Sequence, residues 1–195
     1  MADAKPTDHS LRSSAAGRPK CVHVIRHGQA EHNVNDDALE KRDTALTSKG
    51  QSQAATLKER VSALQVEIVL TSPILRALET TKGGVASATR VVVVPDARER
   101  VSCKSHLCEM PVNPATASSS GDYAGYDWQL ATQSLALAGG SVAEWERGLM
   151  AVDLESNANI DERGRRLSAW IEGRSEQTLC LGKSDARLAV AHPHL

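Results

Sequence analysis

Residues Cys21 to Gly28 read Cys-Val-His-Val-Ile-Arg-His-Gly, an apolar run that ends in a cation, an imidazole and a glycine. Short runs rich in β-branched side chains and stopped by glycine are the pattern of a core strand in an α/β domain. Such a strand delivers Arg26 and His27 to its carboxyl end, where open α/β sheets hold their ligands. Gly28 leaves room there for close approach of backbone and tolerates positive φ. An arginine beside a histidine suits a phosphoryl group, with a planar fork for the oxygens and a neutral nitrogen for the phosphorus.

Outward from this stretch the chain alternates strand and helix. Thr47 or Ser48 opens a helix, with Gln51 placed after Ser48 as in a capping box. Ala54, Leu57, Val61 and Leu64 then recur at helical spacing. Val66 to Leu70 is a second strand, followed by Ser72 as N-cap and Pro73 at the first helical position. This helix runs through Ile74, Leu78 and Thr81, and Gly83-Gly84 ends or frays it. Val91 to Val94 is a third strand, stopped by Pro95. The pattern predicts an α/β fold, a three-layer α/β/α sandwich around a mostly parallel central sheet.

The flanks are less patterned. Residues 1–19 read as a disordered tail with no signal or transit character, and 20–195 as one domain. Within it, 111–141 is rich in Ser, Ala, Gly and Pro and reads as a mobile insertion. Ile160, Leu167, Trp170 and Ile171 share a face and predict a helix from about Ile160 to Glu172. Arg187 to Ala191 reads as a last strand with His192 at its end. The chain stops at Leu195, so the C-terminal end of the sandwich reads as truncated.

Composition narrows the function classes. The chain has 195 residues, with 41% hydrophobic and 24% charged side chains and a net charge of −1. That balance offers no basic field for nucleic acid and no cationic face for a membrane, and no run is long enough to span one. Aromatic content is 3%, with no Phe, so the core must be built from Ala, Val, Leu and Ile. The four cysteines, Cys21, Cys103, Cys108 and Cys180, form no Cys-x-x-Cys pair and suit reduced thiols in a cytoplasmic setting. Cys103, His106 and Cys108 fit no common zinc spacing, and strand geometry sends His23, His27 and His32 apart.

Four groups then form a coherent set: His27 and His192 at two strand ends, Arg26 beside the first, and Arg76 in the helix that follows Ser72. Phosphoryl transfer needs a nucleophile, cations for the equatorial oxygens and an acid for the leaving oxygen. A histidine attacks only when neutral, and two neighbouring guanidinium groups favour that form. Glu99, just past the third strand, is the candidate acid.

Three motifs carry a resemblance. Arg26-His27-Gly28 is followed by Asn33, then by Leu46-Thr47-x-x-Gly50-x-x-Gln53-Ala54, then by Ser72-Pro73-x-x-Arg76-Ala77-x-Glu79-Thr80. In this order the chain resembles the histidine phosphatase superfamily, in its phosphoglycerate-mutase-like branch. His32-Asn33-Val34 and Arg98-Glu99-Arg100 are similar to motifs of small plant and fungal proteins of that branch. The resemblance implies that His27 becomes phosphohistidine and that Arg26 and Arg76 hold the phosphate. It implies that His192 hydrogen-bonds the phosphate from the last strand, that Asn33 is an auxiliary contact, and that Glu99 is proton donor and then base. It implies a small phosphorylated substrate and no metal or organic cofactor.

The chain departs from the branch in having Cys103-Lys104 where a Cys-Asp pair is usual, and Pro193 after the second histidine. The expected activity is hydrolysis of small phosphate monoesters. A phosphoglycerate mutase-type transferase, and a phosphate-binding chain impaired in turnover, are the alternatives. Cofactor-dependent mutases are longer and carry an Arg-His-Tyr-Gly stretch after their acid that is absent here.

Overall fold

The computed structural model describes residues 19–85, 89–103, 106–144 and 155–183. Its centre is a parallel four-stranded sheet in the order β1-β4-β2-β3, made by β1 (Cys21–Arg26), β2 (Ile68–Thr71), β3 (Arg90–Val93) and β4 (Thr178–Lys183). β1 pairs with β4 from Cys21↔Thr178 to Arg26↔Lys183, and β4 pairs with β2 from Ile68↔Leu179 to Thr71↔Gly182. All four residues of β2 are buried, as the continuous apolar run Ile-Val-Leu predicts for a parallel strand covered on both faces.

The helices lie on both faces. On one, Leu167 and Ile171 of α5 (Asn157–Glu172) pack with Ile68, Leu70, Val92, Leu179 and Leu181. On the other, Leu78 of α2 (Leu75–Gly84) packs with Val93 and with Trp128. Alternation along the strands decides which residue meets which layer: Ile68 and Leu70 face α5, while Val69 joins Val91 and Cys180 on the opposite side. This is the expected α/β/α sandwich.

α1 (Ser48–Ala63) packs along α2. Its N-cap is Thr47, whose hydroxyl accepts from Gly50 N, so the first of the two candidate caps is the one used. Gly83 and Gly84 do not fray α2 but complete it, because α1 lies too close for side chains there. A Cβ on Gly83 would sit 3.0 Å from Ala54 Cβ, and one on Gly84 3.1 Å from Ala54 O.

Some expectations are corrected. Ser72 is not an N-cap: α2 begins at Leu75 after Ile74. The strand bonding carries on one residue further than the Ser-Pro signal suggests, with Ser72 N donating to Gly182 O of β4 at 3.3 Å. The second strand therefore runs to Thr71 rather than ending at Leu70. The insertion at 111–141 is patterned by packing rather than periodicity: it forms α3 (Pro114–Ser119) and α4 (Gln129–Leu137) and buries Tyr123, Trp128 and Ala131. Asp127 lies alongside β3, accepting from Val93 N at 2.9 Å and donating to Val91 O at 2.8 Å, so this segment covers the open edge of β3. β4 was not foreseen. The strand expected at Arg187–Ala191, His192 and the tail 1–18 lie outside the described residues.

Candidate active site

β1 ends at Arg26, and the chain then dives under α1. A Cβ on Gly28 would lie 2.6 Å from Gly50 O, and one on Gly50 2.0 Å from Gln29 O. The glycine after the histidine is thus required by backbone meeting backbone at the first turn of α1, not by a positive φ. Gly28 N donates to Thr80 Oγ1 at 3.0 Å, and Thr80 Oγ1 donates to Arg76 O at 2.7 Å. One buried hydroxyl therefore ties the His27 loop to the α2 turn that carries Arg76.

This tie brings His27 and Arg76 together. His27 Nδ1 donates to Gly28 O at 2.6 Å, which leaves the lone pair on Nε2. Arg76 Nε donates to that Nε2 at 3.2 Å. The imidazole is held neutral: burial first, then the Arg76 charge, lowers its pKa to about 4, and His32 and Arg26 add to the effect. Arg76 is completely buried, with Nη1 donating to Cys108 O at 2.7 Å and Nη2 paired with Glu99. Glu99 keeps 24% of its side chain exposed, so the carboxylate stands at the rim between Arg76 and solvent.

The other expected residues are placed less directly. Arg26 is exposed at the end of β1, and its charge is felt by both His27 and His32. Asn33 uses its amide within the loop: Oδ1 accepts from Ala30 N at 2.9 Å and Nδ2 donates to His32 Nε2 at 3.0 Å. His23 meets Cys21 Sγ at 3.4 Å on β1 and takes no part in the pocket. Cys21, Cys108 and Cys180 form no disulfide. Among the described residues no three His, Cys, Asp or Glu side chains are grouped to hold a metal ion, and no helix is long and apolar enough to cross a membrane.

Several participants escaped the sequence reading. Strand geometry does not part His32 from His27, because the chain turns back after β1: their ring centroids lie 5.7 Å apart. Its Nδ1 meets Thr44 Oγ1 at 3.2 Å, and burial and then Arg76 lower its pKa to about 4. Its place beside Asn33 was a signal that could have found it. Glu79 holds Leu46 N at 2.6 Å, and burial pushes its carboxyl pKa up. Nothing in the sequence marks the Cys108 carbonyl as a partner for Arg76, because it is backbone delivered by a distant turn.

A parallel sheet with a neutral histidine and a buried arginine meeting past a strand's carboxyl end makes this an α/β protein with its candidate site at that edge of the sheet. Comparison with known proteins narrows the class for part of the chain. Residues 22–102 match the model of the histidine phosphatase superfamily (branch 1). Over 74 residues the chain is 36% identical to a Schizosaccharomyces pombe protein named as a probable phosphatase, covering 36% of this chain and 34% of the relative. Over 77 residues it is 35% identical to phosphoglycerate mutase-like protein 2 of Arabidopsis thaliana, covering 34% of this chain and 22% of that protein. The matched stretch thus spans about a third or less of each of these relatives. The alpha-ribazole phosphatase of Shigella flexneri shares the fold with a TM-score of 0.54 at 19% identity, over 84% of this chain and 73% of that one. Residues 22–102 thus carry the sequence pattern of the histidine phosphatase superfamily (branch 1), and the same region is similar to proteins named as a probable phosphatase and as phosphoglycerate mutase-like.

Proposed function

We propose that the chain is a phosphatase that hydrolyses small phosphate monoesters through a phosphohistidine on His27. The observation that carries this reading is the neutral Nε2 of His27, buried at the end of β1 with Arg76 Nε 3.2 Å away. A neutral imidazole has the electron pair to attack phosphorus, and a buried guanidinium beside it offers donors for the phosphoryl oxygens.

In the first step Nε2 forms a bond to phosphorus, the ester P–O bond breaks, and the Glu99 carboxyl gives its proton to the leaving oxygen. A phosphoryl dianion against Arg76 sets two negative charges side by side, and a proton held on Glu99 relieves that repulsion. In the second step water attacks phosphorus, its proton passes to Glu99, and the P–N bonding pair returns to Nε2. Arg26, at the exposed rim, supplies a second cation for the incoming ester, and Asn33 supports the pocket through His32.

Phosphate binding without turnover is the second reading, favoured by Cys103-Lys104 where the branch that the chain resembles usually has a Cys-Asp pair. The experiment is incubation with p-nitrophenyl phosphate, followed by acid-quench assay for acid-labile phosphate on the protein. Turnover with labelling, both lost in His27→Ala, establishes the phosphatase. Labelling passed on to a second phosphate acceptor in preference to water points to mutase-type transfer. Binding of inorganic phosphate with neither labelling nor turnover establishes the binding protein.

A further inference from the structure

Away from the pocket, three charged side chains are buried together. Glu155 is 4% exposed, Arg163 of α5 4% and Arg98 8%. Arg98 grips the Glu155 carboxylate with both terminal nitrogens, at 2.9 and 3.1 Å. Arg163 grips the same carboxylate from another side through Nε at 2.5 Å and Nη2 at 2.9 Å. Two forks thus close on one carboxylate.

Further bonds of the cluster go to one short piece of backbone. Arg163 Nη1 donates to Asp96 O at 2.9 Å and to Arg98 O at 3.0 Å. Arg98 Nη1 also donates to Glu99 O at 3.0 Å, and Val101 N donates to Glu155 Oε2 at 3.4 Å. The backbone is therefore held before, at and after Glu99. Arg166, one turn along α5 from Arg163, adds a fork onto the Asp96 carboxylate at 2.7 and 3.0 Å.

A buried triad of two cations and one anion is an expensive way to stabilise a fold, since apolar side chains of similar volume commonly do as well or better. What charged forks give is direction. A carboxyl that must deliver a proton to one leaving oxygen loses efficiency on small displacements, and Glu99 sits on a loop rather than on a strand or helix.

We propose that Glu155 and Arg163 are positioning residues that act through Glu99, fixing its loop so that its carboxyl stands between Arg76 and the leaving group. The inference rests on the phosphatase reading and adds a division of labour to it: α5 supplies the frame for proton donation and α2 the phosphate pocket. The clamp then matters in proportion to how much the leaving group needs a proton. An alkoxide leaves poorly without one, whereas nitrophenolate leaves readily.

The test compares glycerol phosphate with p-nitrophenyl phosphate in the full chain and in Glu155→Gln, Arg163→Lys and Glu99→Gln. Glu155→Gln keeps the shape but weakens both forks. Arg163→Lys keeps the charge but cannot span Glu155 and two carbonyls together. Each clamp variant should lower kcat/KM, which reports the step that expels the leaving group, by about 10- to 100-fold for glycerol phosphate and by less than about threefold for the nitrophenyl ester, the same pattern as Glu99→Gln. Equal loss on both esters, or no loss on either, overturns the inference while leaving the phosphatase reading intact. Failure of both clamp variants to fold also overturns it, since the triad would then belong to the frame of the whole domain. A parent chain that turns over neither ester removes the phosphatase reading and the inference with it.

Discussion

Arg76 donates through Nε to the Nε2 lone pair of His27 at 3.2 Å, the nitrogen that would attack phosphorus. The other donors of the guanidinium hold Cys108 O and Glu99. One buried cation thus meets the proposed nucleophile, the turn at Cys108 and the Glu99 carboxylate at the solvent rim. A phosphoryl oxygen reaches this arginine only by sharing or taking a place that Glu99 and His27 already hold. In the proposed reaction the guanidinium that joins burial in keeping His27 neutral would also yield its donors to the ester as His27 attacks.

His27 should titrate far below an ordinary histidine. Burial and the Arg76 charge set its pKa at about 4 against 6.5, so the imidazole stays neutral throughout the mildly acidic range. An NMR titration of the imidazole signals, with the His27 resonance assigned by its loss in His27→Ala, should show a midpoint near 4. A midpoint near 6.5 would place the ring in solvent and break the proposed pocket.

The same depression makes the fold sensitive to acid. His27 and His32 both titrate near 4 in the folded chain and near 6.5 when unfolded. Between those values the unfolded chain binds more protons, so stability falls as pH drops from about 6.5 to 4. Glu176 has the shift of a carboxylate paired with Arg174, from 4.5 to about 2, and its contribution is lost as pH falls from about 4.5 towards 2. Urea melts from pH 7 to 4.5 should show a steady decline in midpoint, shallower in His27→Gln. A flat profile would contradict the burial of both rings.

Thr80→Val is expected to cost more than its small change in shape suggests. The hydroxyl accepts from Gly28 N and donates to Arg76 O, and the residue is 5% exposed. Valine leaves the buried Gly28 N–H without a partner, at a cost of about 1–3 kcal/mol. Thermal melts read the loss. The His27 loop also becomes free to shift relative to Arg76, so turnover should fall further than the melt accounts for at assay temperature. A variant as stable and active as the parent would show that the hydroxyl bridge is incidental.

The parts of this molecule legible in the sequence are those written in local patterns. The Val-rich runs and the Ala54, Leu57, Val61 face announced the parallel sheet and its helices, and Arg26-His27-Gly28 marked the end of β1 past which His27 meets Arg76. Parts that depend on distant partners were not legible. Thr178–Lys183, with Thr, Cys, Gly and Lys among its six residues, has weak strand character and becomes a central strand because β1 and β2 flank it. Ser72-Pro73 carries a strong helix-start signal, but Ser72 N is spent on Gly182 O of β4 and the helix waits until Leu75. The 111–141 segment lacks periodicity because its burial comes from Tyr123 and Trp128 rather than from a repeating face. Arg98 and Arg163 look like surface cations until Glu155 is brought between them.

Arg76→Lys separates charge from geometry. Lysine retains a cation for the phosphate, but a single ammonium cannot serve His27 Nε2, Cys108 O and Glu99 at once. Arg76 and Cys108 are both buried, so a Cys108 carbonyl that lysine abandons has no water to turn to, at a cost of about 1–3 kcal/mol. Turnover of p-nitrophenyl phosphate should fall by about 100-fold or more, as on removal of a donor that stabilises developing charge. Inhibition by inorganic phosphate should weaken in parallel, because the planar fork contacts the group in both the bound and the reacting state. Steady-state kinetics with phosphate as competitor measure both quantities in one series. Full activity with lysine would mean that charge alone suffices at this position, and that the fork joining His27, Cys108 and Glu99 is not what organises the pocket.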